Sequence, residues 1–236
     1  MAMKNAAHHV NVHPRKDDHG RTVEIKKPHQ PSTPESWKQS ATLAVVTPSG
    51  EMPADINGVC VMTWNSAPES SDAWEKLANN HRIDEPAFEV PVGYAHAAGA
   101  VVLESDGRIW VVAPSNAFAG YQATFPKGTV DPDMSLQATA LKESWEESGL
   151  QIRLVRHLID VRRSQSYTRY YLATRVGGNP AAMGWETQAV MLVPRDRIAM
   201  VVTHPNDVPI LEVMDRLGVQ THAGFDSDLR KDAQSP

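Results

Sequence analysis

The chain has 236 residues with 23 Lys and Arg against 28 Asp and Glu, and its formal net charge of −5 excludes a broadly basic nucleic-acid-binding surface. A single cysteine, Cys60, excludes an internal disulfide and suits a reducing compartment, so a cytoplasmic protein is expected. No apolar run approaches the roughly 18 residues of a membrane helix, and no signal-peptide pattern opens the chain.

In chain order, residues 1–40 are polar and interrupted by Pro14, Pro28, Pro31 and Pro34, which reads as a disordered tail. His8, His9, His13 and His19 belong to that tail rather than to a metal-binding tract. Residues 41–90 have real apolar content. Strands are expected at 43–46 and 59–64 and a short helix around 74–77; about 50 residues form a marginal core alone, so this extension is expected to pack on the main domain. There it extends the sheet, covers a site or forms a homodimer interface.

Residues 91–218 read as the main domain. Apolar runs at 97–103 and 109–113 flank Asp106-Gly107 and predict a hairpin. A glycine turn at Phe125-Pro126-Lys127-Gly128 then precedes a helix with Ser135 as N-cap and Gly149 as C-terminal stop. On that helix Ala138, Leu141 and Trp145 form the packing side, and Glu143, Glu146 and Glu147, spaced i, i+3 and i+4, share one face. Strands follow at 152–161 and 167–176, joined by polar residues 162–166, and another at 190–193. A last helix at 207–217 places Ile210, Leu211, Met214 and Leu217 on one stripe and stops at Gly218. Residues 219–236 read as a loose tail. Strands mixed with two helices imply an α+β fold, arranged as an α/β/α sandwich.

Like charges at i,i+4 repel by roughly 0.2–0.5 kcal/mol each, so three clustered carboxylates call for a cation. A hard divalent ion such as Mg²⁺ takes oxygen ligands and keeps coordination positions open for phosphate. Cys60 reads as a small strand residue rather than a nucleophile.

With Gly128 at its head and Lys142-Glu143-Ser144-Trp145-Glu146-Glu147-Ser148-Gly149-Leu150 at its end, the segment resembles the Nudix hydrolase box: Gly, five residues, Glu, seven residues, then Arg-Glu-apolar-x-Glu-Glu-x-Gly-apolar. Three positions depart from it. Met134 replaces the first Glu, Lys142 replaces the Arg and loses its planar fork, and Ser144 stands at an apolar position. The resemblance implies a loop-helix-loop motif against a mixed sheet. It also implies a metal site of the Gly128 carbonyl, Glu143, Glu146 and Glu147, filled by Mg²⁺ or Mn²⁺, which activates water for attack on phosphorus. Glu143 and the downstream Glu186 are alternative bases for that water, giving Glu143, Glu146, Glu147 and Glu186 as catalytic candidates. Lys127, Lys142, Arg163 and Arg169 are the substrate-binding candidates, the lysines for phosphate contact or for support of the metal ligands and the arginines for a polyphosphate or, more ordinarily, as solvated charges at strand ends. Tyr121, Tyr167 and Tyr170 offer base stacking or, more ordinarily, packing.

The implied substrate is a small phosphorylated, nucleotide-derived molecule, a nucleoside diphosphate linked to another moiety. The flanks Phe125-Pro126-Lys127-Gly128 and Trp185-Glu186-Thr187-Gln188-Ala189-Val190 look more like the dinucleoside polyphosphate and diphosphoinositol polyphosphate branches than the ADP-ribose branch. The rival reading, motivated by Met134 and Lys142, is a catalytically attenuated Nudix-fold module that binds nucleotide for regulation.

Overall fold

The computed structural model of the chain describes residues 11–25, 27–115 and 120–217; the expectations for His8, His9, Gly218 and residues 219–236 lie outside these. The described strands are β1 (Ala44–Val46), β2 (Asp55–Ile56), β3 (Val59–Cys60), β4 (Ala95–Leu103), β5 (Ile109–Pro114), β6 (Lys127–Thr129), β7 (Leu150–Arg162), β8 (Ser166–Gly178) and β9 (Thr187–Val193). The helices are α1 (Ser71–Asn80), α2 (Leu136–Ser148), α3 (Ile198–Val201) and α4 (Val208–Arg216).

Seven strands form one mixed sheet in the order β1-β9-β5-β4-β8-β7, with β6 also paired to β4, while β2 and β3 form a separate ribbon. The pairing of β4 with β8 is parallel and the others are antiparallel. Central strands covered on both faces require apolar residues at every position, and β4 is buried from Ala97 to Leu103. Alternation divides its side chains: Ala98, Ala100 and Val102 join the cluster containing Ala138 and Leu141 of α2, and Val101 and Leu103 join the one containing Ile210 and Met214 of α4. The result is the expected α+β sandwich.

Helix α2 has the predicted ends. The Ser135 hydroxyl accepts from the Ala138 N–H at 3.2 Å, and Gly149 adopts a left-handed φ of 69°. Ser144 is fully buried, and its hydroxyl donates to the Ala140 carbonyl at 2.7 Å, which satisfies a polar atom at an apolar position. The last helix forms as α4 behind a short 3-10 turn at Pro205–Asp207.

The extension at 41–90 adds β1 to the sheet edge beside β9 and lays α1 on α2. Trp74 packs between Trp64 and Trp145, with ring centroids 5.8 and 5.9 Å away. The Glu75 carboxylate accepts the Ser135 N–H, one of the orphan donors at the start of α2. The strand expected at 59–64 stops at Cys60, because the chain turns to bring Trp64 onto Trp74 and Trp145.

The disordered tail expected at 1–40 requires correction for its described part. Val12 bridges Glu24, the Ser32 N–H donates to the Val45 carbonyl at 2.9 Å, and Trp37 is 1% exposed and stacked on Trp110 at 5.9 Å. The buried Arg108 guanidinium fixes the same segment by donating to the Trp37 and Ser36 carbonyls at 2.5 and 3.2 Å. One large side chain anchors this stretch, and a lone tryptophan leaves no periodic signal. Trp37→Ala is expected to destabilise the chain by about 3–5 kcal/mol in chemical denaturation; a loss below about 1 kcal/mol would show that residues 33–40 are dispensable to the core.

Candidate functional site

Strand β6 carries Gly128 against Ala98 of β4, directly beneath α2. The glycine is in extended backbone rather than the expected turn, and what lies over it is the Glu143 carboxyl. A Cβ built there would overlap the Glu143 carboxyl, the far end of a flexible side chain, so a larger residue at 128 would displace that carboxyl from its place over the strand. Next to it, the Lys127 N–H donates to Glu147 Oε2 at 3.0 Å. One turn of α2 is thus tied to β6 through the Glu147 carboxylate, with the Glu143 carboxyl lying over Gly128.

The loop after β8 closes the other side. The Gly184 N–H donates to the Glu146 carbonyl at 2.7 Å, and a Cβ on Gly184 would strike that oxygen. Ser115 fixes the loop from β5, its N–H donating to the Glu186 carbonyl at 2.6 Å and its hydroxyl to the Trp185 carbonyl at 2.7 Å. Glu186 stands at the exposed rim, close enough to Glu143 and Glu147 to influence both electrostatically.

The four carboxylates crowd one another. Burial, then the neighbouring Glu147 charge, pushes Glu143 up to about 8 despite the opposing effect of Lys142. Burial raises Glu147 to about 7 against the pull of Lys127. Partial burial, then Asp18 and Glu146, lifts Glu186 above the usual carboxylate range. Lys142 answers this charge: Nζ lies 2.8 Å from Glu146, 3.1 Å from Asp131 and 3.5 Å from Glu143. Burial pulls against its charged form, but these partners hold the ammonium above its ordinary range.

Among the described residues no three acidic, histidine or cysteine groups already stand in a ligating arrangement. Glu146 is turned toward Lys142 and Glu147 toward the Lys127 N–H. The donor set nevertheless suits a hard divalent cation: carboxylate oxygens in excess over their compensating charges, beside a glycine whose missing side chain leaves the backbone open.

The four substrate-binding candidates separate. Lys127 lies at the site, with Nζ 5.7 Å from the centre of the Tyr121 ring. Lys142 is engaged by carboxylates and so serves them rather than a phosphate. Arg163 is 6% exposed and donates to Asp207 Oδ1 at 2.9 Å, Tyr170 Oη at 2.7 Å and Tyr121 Oη at 2.8 Å. Arg169 is 1% exposed and is held by Asp160, Glu85 and the carbonyls of Pro86 and Ala87. Both arginines are therefore structural, since a buried guanidinium needs its partners permanently. The tyrosines also pack: Tyr170 is fully buried, Tyr167 stacks on Phe88 at 5.4 Å and Tyr121 on His204 at 3.7 Å.

Two residues at the site escaped the sequence reading. Asp18 accepts from the Trp185 indole N–H at 3.1 Å across 167 positions, and no local pattern announces such a pairing. Asp131 sits three residues before Met134, where the missing box carboxylate was itself a signal to look for another.

A family model described as NUDIX domain matches residues 93–214. No curated protein matches the sequence. Among solved structures, a MutT protein from Methanosarcina mazei Go1 aligns at 20% identity over 57% of this chain and 100% of its own, with a TM-score of 0.46. A C. elegans Ap4A hydrolase aligns at 16% identity over 52% and 96%, with a TM-score of 0.44. An ADP-ribose pyrophosphatase from Streptococcus suis 89-1591 aligns at 18% over 54% and 94%, with a TM-score of 0.42.

The overlap at Gly128 has a measurable consequence. Gly128→Ala is expected to cost up to about 1 kcal/mol as the Glu143 carboxyl swings aside, and nothing measurable in a Glu143→Ala background where the obstructing carboxyl is gone. Equal costs in the two backgrounds, measured by urea denaturation, would rule out this contact as the reason for the glycine.

Proposed function

Because the chain belongs to the NUDIX family of pyrophosphohydrolases, we propose that it hydrolyses, with a divalent cation, the pyrophosphate bond of a small nucleoside diphosphate linked to another moiety. The observation that carries this reading is the convergence of Glu143, Glu146, Glu147 and Glu186 beside Gly128, with fewer cations than carboxylates around them.

The Gly128 carbonyl, Glu143, Glu146 and Glu147 would hold Mg²⁺ or Mn²⁺. When bound, such an ion polarises a phosphoryl oxygen and offsets the charge that develops at phosphorus. The chain's own groups do the rest. Lys127 offers its ammonium to a phosphate at the mouth of the site, and its N–H keeps Glu147 in place. Glu186, made a stronger base by burial and by the Asp18 and Glu146 charges, takes the proton from water as the water oxygen bonds to phosphorus and the P–O anhydride bond breaks. The departing phosphate retains the bonding pair.

Among the described residues no helix is long and apolar enough to cross a membrane, and a freely diffusing phosphorylated substrate fits that. The flanks of the box favour dinucleoside polyphosphates or diphosphoinositol polyphosphates within the proposed class. A regulatory module without turnover is the less favoured reading, since Lys142 keeps three carboxylate partners despite the altered box.

Product release from ADP-ribose, dinucleoside polyphosphates, nucleoside triphosphates and diphosphoinositol phosphates, with Mg²⁺ or Mn²⁺ and with chelator, tests the proposal. Metal-dependent cleavage of one class is expected, and Glu146→Gln and Glu147→Gln should each lower its kcat by about two orders of magnitude with the melting curve retained. Saturable nucleotide binding without product would replace the hydrolase reading with the regulatory one.

A further inference from the structure

Met134 stands where the family pattern has a carboxylate, yet nothing at Lys142 is short of charge. The turn Asp131-Pro132-Asp133 explains the exchange. Asp133 adopts a positive φ of 64°, and the Met134 N–H closes onto the Asp131 carbonyl at 3.2 Å. The Met134 side chain enters the apolar cluster of Trp74, Ala138 and Leu141, where it is 8% exposed. A carboxylate at 134 would be buried among those groups. The same turn sets the Asp131 carboxylate 3.1 Å from Lys142 Nζ.

We propose that Asp131 is a positioning residue of the hydrolytic site: it supplies from the turn before α2 the charge that position 134 lacks, and it holds Lys142 beside the metal-binding face. An ammonium has three donors and no fixed plane, so the carboxylates around it decide where it rests. Of the three around Lys142, Glu143 and Glu146 are assigned to the cation. Asp131 alone lies outside that set and outside α2. A lysine paired only with ligands would compete with the cation for them; one anchored to Asp131 keeps a partner when Glu146 turns away. The extension contributes to the arrangement, since Trp74 covers the cluster that receives Met134 and Glu75 caps the adjoining Ser135 N–H.

This inference rests on the proposed metal-dependent site, and direct Mn²⁺ binding to the substrate-free protein separates the two. Followed by the electron paramagnetic resonance of free Mn²⁺, Asp131→Ala is expected to weaken binding about fivefold, the scale of one partly exposed ion pair. It should lower kcat by a similar factor with KM changed less than twofold, and Asp131→Glu should restore both. In a Lys142→Met background, Asp131→Ala should add nothing. A wild-type protein that binds no Mn²⁺ overturns the site reading and this inference with it. Wild-type binding that is unchanged in Asp131→Ala, or a loss that persists without Lys142, overturns the inference alone.

Discussion

The approach of α2 to β6, which lays the Glu143 carboxyl over Gly128, is the constraint on which the rest of this structure depends. It forces the Glu143 carboxyl against a strand backbone and brings Glu147 onto the Lys127 N–H. The loop at Gly184 makes a comparable approach at the other side, through the Glu146 carbonyl. The helix is thus clamped by backbone at two of its glutamates, and their side chains are presented by rigid elements instead of a free surface. The packing behind it serves the same end. Trp74 and Trp145 pin α2 from the extension, while Ala98 and Ala100 are small enough for the helix to lie on β4.

That clamp concentrates negative charge, and the site is organised around its partial compensation. Lys142 and Lys127 offset some of it; burial still pushes Glu143 and Glu147 far above ordinary carboxylates. The other buried charges of the sheet are treated differently. Arg163 with Asp207, Arg169 with Asp160 and Glu85, and Arg175 with Glu104 at 2.5 Å are closed pairs whose donors are occupied by the fold. At the α2 face, among the described residues, no guanidinium pairs with Glu143, Glu146 or Glu147, and Lys142 is shared by Glu143, Glu146 and Asp131. This difference separates a site from scaffolding more clearly than burial or charge alone.

The legible parts of the sequence were those governed by local periodicity. The caps of α2, the shared face of its glutamates and the apolar runs of β4, β5 and β9 follow from spacing within a few residues. Position 128 was legible as a glycine but misread as a turn, because space and φ make the same demand on the sequence. Arg163 and Arg169 were ambiguous for another reason. Their partners Asp207 and Asp160 come from α4's approach and from β7, and charge by itself does not say whether a guanidinium faces ligand or protein. Trp37 was lost among prolines and polar residues, though one stacked indole suffices to hold that stretch to Trp110. Asp18 reaches Trp185 from the far end of the chain, which only tertiary structure reveals.

Whether the clamped face of α2 binds a divalent cation is decided by anomalous diffraction from crystals soaked in Mn²⁺. Anomalous density is expected adjoining the Gly128 carbonyl and the carboxylates of Glu143, Glu146 and Glu147, with Glu146 turned away from Lys142. Ordered Mn²⁺ elsewhere with that face empty, and Glu146 still paired to Lys142, would contradict a cation site there.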